Sequence, residues 1–256
     1  MSKKNRDRQQ EVIIKYKRKV VSARTDNQKK YIKAIQKNDF IVCNGPAGVG
    51  KTHIAIGMAF WSLFNNEVEK IIIARPVVES GENLGFLPGD LNEKMAPYIQ
   101  PIMDELNFYA SYSEITEMRN SGNLEICPIA YMRGRTFNNS FIICDECQNA
   151  TSKQIKMMFT RFGVGSKQIM TGDIEQSDLD RHSSGAFKNL YERFDRPELL
   201  DRRIACVKLE KKDICRYENM EIMMQAYENP IDKNTPLPYN NINAVVQWPD
   251  DGIADF

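Results

Sequence analysis

One stretch of the chain, residues 40–64, leaves few folds open. A short apolar run, Phe40-Ile41-Val42-Cys43, leads into the octet G-P-A-G-V-G-K-T at 45–52, and a helix-like stretch, Ile54 to Phe64, follows. The octet matches the phosphate-loop pattern G-x-x-x-x-G-K-[ST], which carries meaning when it lies between a strand and a helix. Glycines let the backbone turn tightly enough to aim successive N–H groups at an anion. In that geometry Lys51 reaches the β- and γ-phosphates and the Thr52 hydroxyl binds Mg²⁺. The helix adds the positive end of its dipole. Gly45, Pro46, Ala47, Gly48, Val49, Gly50, Lys51 and Thr52, with the adjoining His53, are therefore candidate nucleotide-binding residues. The helix is apolar almost all round and should be buried. Gly57 inside it costs about 1 kcal/mol against alanine, which close packing on a sheet would offset.

Further apolar runs at about 70–74, 124–127, 141–144, 168–171 and 203–209 read as strands. Helical patterns fall near 25–36, 91–107, 112–120, 152–161, 184–194 and 213–227, with Thr25 or Asp26 capping the first. Pro97 and Pro101 are expected to divide the 91–107 pattern. Continuous apolar strands alternating with helices imply an α/β fold, a mainly parallel sheet covered on both faces as three αβα layers. In such sheets ligands bind beyond the carboxyl ends of the strands. The expected organisation is a basic arm at 1–24, one domain at 25–228, and an extended or disordered tail at 229–256.

The net charge of +1 hides an asymmetry: residues 1–37 hold 13 of the 35 basic residues and 3 of the 34 acidic ones. Such an arm suits a nucleic-acid backbone, a solubilising role, or docking on the acidic body of a neighbouring subunit. No run approaches the length of a membrane span, and the polar start M-S-K-K-N-R-D-R lacks a signal-peptide core. A cytoplasmic location without membrane contact is expected. The six cysteines are scattered and read as reduced core thiols. Cys144-x-x-Cys147 finds no second ligand pair for zinc.

Two strand ends bear polar groups suited to the phosphate loop. Phe141 to Glu146 is four apolar residues followed by Asp-Glu. Asp145 would hold Mg²⁺ opposite Thr52, and Glu146 would orient and polarise the attacking water. T-G-D-I-E-Q at 171–176 offers Asp173 as support for the metal shell and Gln176 as a sensor of γ-phosphate or water. Gln28, just before the first helix, carries an amide able to read an adenine edge; a plain surface glutamine is the alternative.

Together these residues closely resemble the PhoH family of phosphate-loop ATPases. The resemblance is most specific at I-I-I-A-R-P-V-V-E-S-G-E-N-L-G-F-L-P-G-D-L-N-E-K-M-A-P-Y (71–98), and it continues at A-Y-M-R-G-R-T-F-N-N-S-F-I-I-C-D-E-C-Q-N-A-T (130–151) and K-M-M-F-T-R-F-G-V-G-S-K-Q-I-M-T-G-D-I-E-Q-S-D-L (156–179). It implies a RecA-type core like one domain of a superfamily 1 helicase. It also implies ATP and Mg²⁺ binding, ATP hydrolysis, and a role with RNA or single-stranded nucleic acid. Gln28, Gly45 to Thr52, Asp145, Glu146 and Gln176 would hold the roles given above. Cys147 departs from the usual alanine, and Tyr-Glu-Asn-Met after Arg216 departs from the family pattern. Phosphoryl transfer is usually helped by an arginine; Arg75, Arg133, Arg135, Arg161 and Arg216 are candidates, with Arg135 and Arg216 foremost. The chain is too short for a second RecA-like domain, so a homo-oligomeric ring, a hexamer for example, is expected to supply it from a neighbour. A nucleotide-gated assembly switch and a phosphate-loop kinase are the competing functions.

Overall fold

The computed structural model describes residues 21–76, 91–177, 179 and 185–214, with 91–98 described by backbone alone. Most of the basic arm, the glycine-rich stretch 77–90, Arg216, the 215–227 helical pattern and the 229–256 tail lie outside the described residues.

Six strands form one sheet: β1 (Phe40–Asn44), β2 (Lys70–Arg75), β3 (Leu124–Pro128), β4 (Ser140–Cys144), β5 (Lys167–Gly172) and β6 (Ile204–Lys208). Their order is β3-β2-β4-β5-β1-β6, and every pairing is parallel. The helices are α1 (Asp26–Lys37), α2 (Lys51–Phe64), α3 (Leu91–Tyr109), α4 (Tyr112–Ser121), α5 (Ser152–Phe159) and α6 (Ala186–Phe194). The four central strands are buried on both sides because their alternate residues serve two cores. Ile71, Ile73, Phe141 and Ile143 pack with α1 to α4. Ile72, Ala74, Ile142 and Cys144 pack with α5 and α6. The expected three-layer α/β architecture follows.

Local chemistry sets the helix ends. The Thr25 hydroxyl accepts from the Gln28 backbone N–H and starts α1. Reciprocal capping boxes, Ser111 with Glu114 and Thr151 with Gln154, start α4 and α5. At the far end of α1, Lys167 donates its ammonium to the carbonyls of Ile35 and Asn38. Burial lowers the pKa of that amine, and the two carbonyls satisfy the charge at the negative end of the helix.

Two expectations change. The 91–107 pattern is one helix, α3, running from Leu91 to Tyr109 through both prolines. Pro97 and Pro101 are four residues apart, so the ladder bonds they cannot make fall in a single column and the other columns continue. Gly57 in α2 does not owe its place to the sheet. A β-carbon there would lie 2.6 Å from the Tyr109 hydroxyl and 2.7 Å from the Val21 β-carbon, so the close neighbour is α3. Tyr109 in turn donates to the His53 carbonyl at 3.0 Å. Gly57→Ala is therefore expected to destabilise the fold by about 1–3 kcal/mol through overpacking, read as a lower midpoint in denaturant unfolding. An unchanged midpoint would mean that Tyr109 yields at no cost.

Candidate nucleotide site

The phosphate loop leaves β1 and closes onto α2, whose N-cap, Gly50, is in the left-handed region at φ 88°. A side chain there would be strained. The loop is tied down on two sides. Gly45 N–H donates to the Gly172 carbonyl at 3.1 Å, and a β-carbon on Gly45 would come within 2.7 Å of the Leu209 carbonyl oxygen. Lys51 arches back over the loop, its Nζ donating to the carbonyls of Gly45 (2.6 Å) and Pro46 (2.8 Å). A cavity of about 270 Å³ opens beside Gly45 and Pro46, lined also by Asn44, Asp173, Lys208 and Lys211.

Two strand spacings away, β4 delivers Asp145 and Glu146. Asp145 is buried, and its Oδ1 accepts from the Thr52 hydroxyl at 2.7 Å and from the Thr171 hydroxyl at 2.6 Å. Its backbone N–H donates to the Ala74 carbonyl at 2.9 Å, fastening the end of β4 to β2. The next residue turns. Glu146 adopts φ 55° and ψ 41°, a left-handed conformation that costs a non-glycine residue roughly 1 kcal/mol or more. Its carboxylate points to the β2 side, where Arg75 Nη2 lies 3.1 Å from Oε1. The Gln148 amide donates to the other oxygen at 2.5 Å. Arg75 Nε also stands 3.9 Å from Asp145 Oδ2.

Thr52 and Asp145 bring together a hydroxyl and a carboxylate, both hard oxygen donors. Among the described residues no cluster of three or more His, Cys, Asp or Glu could hold a metal. Mg²⁺ fits such a pair, since it is commonly held by one or two protein oxygens while water and phosphate complete its shell.

Other residues named from the sequence stand at varying distances from this centre. Gln28 lies in the first turn of α1 and not before it, against the loop, and is buried with its side-chain amide engaged by backbone. Nε2 donates to the Val49 carbonyl (3.0 Å) and Oε1 accepts from Arg24 N–H (2.8 Å). Reading an adenine edge would require those bonds to be exchanged. Asp173 is buried in the turn after β5, where its Oδ1 accepts from Glu175 N–H. Gln176 follows on the exposed side of that turn, its N–H bonded to the Asp173 carbonyl. The His53 ring faces α3, with Nδ1 2.9 Å from Glu105 Oε2 and the Phe108 ring 4.7 Å away. Arg135 belongs to the sheet edge: it forks the Glu125 carboxylate on β3, with Nη2 at 2.7 Å from Oε2, and stacks 4.6 Å from the Phe137 ring. The Arg135 hydrogen bond holds the Glu125 carboxyl below its usual range. Cys144 and Cys147 are buried in the second core; burial pushes Cys144 up to about 12 and Cys147 well above its ordinary value, so both stay protonated thiols.

Three contacts escaped the sequence reading: the Arg75 ion pair, the Thr171 hydroxyl on Asp145, and the Gln148 amide, which also accepts from Asp173 N–H at 3.1 Å. The available signal was a polar residue at the carboxyl end of an apolar strand, present at both Arg75 and Thr171. No helix among the described residues is long and apolar enough to cross a membrane.

A family model described as PhoH-like protein matches residues 20–228. A PhoH-like protein of Synechocystis sp. is 42% identical over 231 residues, covering 90% of this chain and 69% of its own length. One from Bacillus subtilis is 39% identical over 220 residues, covering 86% and 68%. Among solved structures, the large terminase of a thermophilic bacteriophage matches with a TM-score of 0.50 at 11% identity, over 81% of this chain and 51% of the terminase. That last likeness is one of fold.

Proposed function

The chain belongs to the PhoH-like protein family, and on that footing we propose that it hydrolyses ATP with Mg²⁺ and couples hydrolysis to RNA or single-stranded nucleic acid. The observation that carries the first half is the 2.7 Å bond from Thr52 to Asp145, which joins the phosphate loop to the acidic strand end across β5. The loop N–H groups and Lys51 would hold the β- and γ-phosphates, with Lys51 exchanging the Gly45 and Pro46 carbonyls for phosphate oxygens. Thr52 and Asp145 would hold Mg²⁺, which when bound neutralises charge on the phosphates. Glu146 would polarise the attacking water, and Gln176 would report the γ-phosphate from the turn after β5.

Coupling to nucleic acid rests on charge. The first 37 residues carry 13 basic side chains against 3 acidic ones, a density suited to a phosphate backbone. The arginine that completes the site is proposed to come from a neighbouring copy in a ring. Arg135 would have to leave Glu125 to serve in that way; Arg216 is the other candidate.

The test is ATP turnover with and without single-stranded RNA or DNA over a salt series. Turnover should rise about five-fold or more at low salt, with the stimulation fading as salt is added, because strand binding releases counterions. Neither stimulation nor strand binding would move the reading to a nucleotide-gated assembly switch. Phosphate appearing on a second molecule would make the protein a kinase.

A further inference from the structure

The two carboxylates at the end of β4 have different hydrogen-bond partners, although Arg75 stands beside both, its Nε 3.9 Å from Asp145 Oδ2. Asp145 faces the phosphate loop, through Thr52 at 2.7 Å and Thr171 at 2.6 Å. Glu146 is held by other groups: Arg75 at the end of β2 takes one oxygen at 3.1 Å, and Gln148 takes the other at 2.5 Å. In the strand order β2-β4-β5-β1, β2 and the phosphate loop lie on opposite sides of β4. Neighbouring strands are about 4.8 Å apart, so the oxygen paired with Arg75 is drawn toward β2, while the phosphate loop lies two strand spacings off on the β1 side. The left-handed backbone of Glu146 (φ 55°) turns the chain out of the β4 line at this residue.

We propose that Arg75 is a positioning residue that restrains Glu146. Its guanidinium holds the carboxylate on the β2 side, and water attack requires that ion pair to open. This rests on Glu146 being the base of the proposed hydrolysis. The restraint makes a prediction opposite to the one for an arginine that assists the phosphates. Were Arg75 such a helper, its loss would slow the reaction; as a restraint, its loss speeds it. Gln148 is the second holder, and its amide links the same carboxylate to the backbone of Asp173.

The experiment is steady-state ATP turnover of Arg75→Ala and Arg75→Lys without nucleic acid, beside the affinity for a fluorescent Mg-nucleotide. A partly exposed ion pair is worth on the order of 1 kcal/mol, about five-fold in rate. Arg75→Ala should therefore raise kcat about five-fold with KM and nucleotide affinity nearly unchanged, and Arg75→Lys should fall between it and the wild type. Should Arg75→Ala fail to fold, the same rise is expected of Arg75→Gln, which keeps a donor but no charge. A kcat that falls or stays the same in the folded variant overturns the restraint. Glu146→Gln separates the two ideas. If it is inactive while Arg75→Ala is slowed, the restraint alone fails; if it turns over normally, the base assignment fails and the restraint with it.

Discussion

Lys51→Ala is expected to abolish ATP turnover and to weaken Mg-nucleotide binding at least about ten-fold. A charge-assisted hydrogen bond contributes roughly 1.5–3 kcal/mol, and the Lys51 ammonium, now bonded to the carbonyls of Gly45 and Pro46 at 2.6 and 2.8 Å, is positioned to redirect both bonds onto phosphate oxygens. Its loss also removes positive charge where negative charge develops in phosphoryl transfer. The fold should tolerate the change. Among the described residues the lysine ammonium bonds only to its own loop, so its loss leaves the sheet and both cores in place. Calorimetric titration of Mg-nucleotide, paired with turnover, reads both effects. A variant that folds, binds and hydrolyses like the wild type would remove the phosphate loop from its assigned role.

Glu146→Gln should divide binding from chemistry. Glutamine matches glutamate in size and can accept the left-handed backbone equally well. It can also keep a hydrogen bond to Gln148, so nucleotide affinity should stay within about three-fold. It cannot accept a proton from water, and turnover should drop about 10²- to 10⁴-fold, the usual contribution of a general base. Lys51→Ala loses both properties, whereas this variant loses one. Turnover near the wild-type rate in a folded Glu146→Gln would take the residue out of the reaction.

How much of this was legible in the chain depends on the range of the contact. The strands declared themselves through runs such as Ile71-Ile72-Ile73, because a strand covered on both faces has no polar alternation to blur. Thr25 declared the start of α1 because a cap is a contact within four residues. The pairing of Thr52 with Asp145 followed from a motif and its strand end. Long-range partners were another matter. Nothing local says that Gly57 makes room for Tyr109, or that Arg75 reaches Glu146 across adjacent strands. Gln28 shows the same limit: its place beside the loop could be expected, but its amide is engaged by the Val49 carbonyl. The prolines do not divide α3 because the penalty each carries is local and the other ladder columns survive it.

The placement of β5 between β1 and β4 has a mechanical consequence. The gap between the loop and the acidic pair equals two rungs of a backbone ladder, from Asn44 opposite Gly172 and from Cys144 opposite Met170. Main-chain bonds, not side-chain packing, are the ruler that sets this width. Substitutions that loosen either core should thus soften the protein well before they alter the spacing on which a triphosphate would be measured.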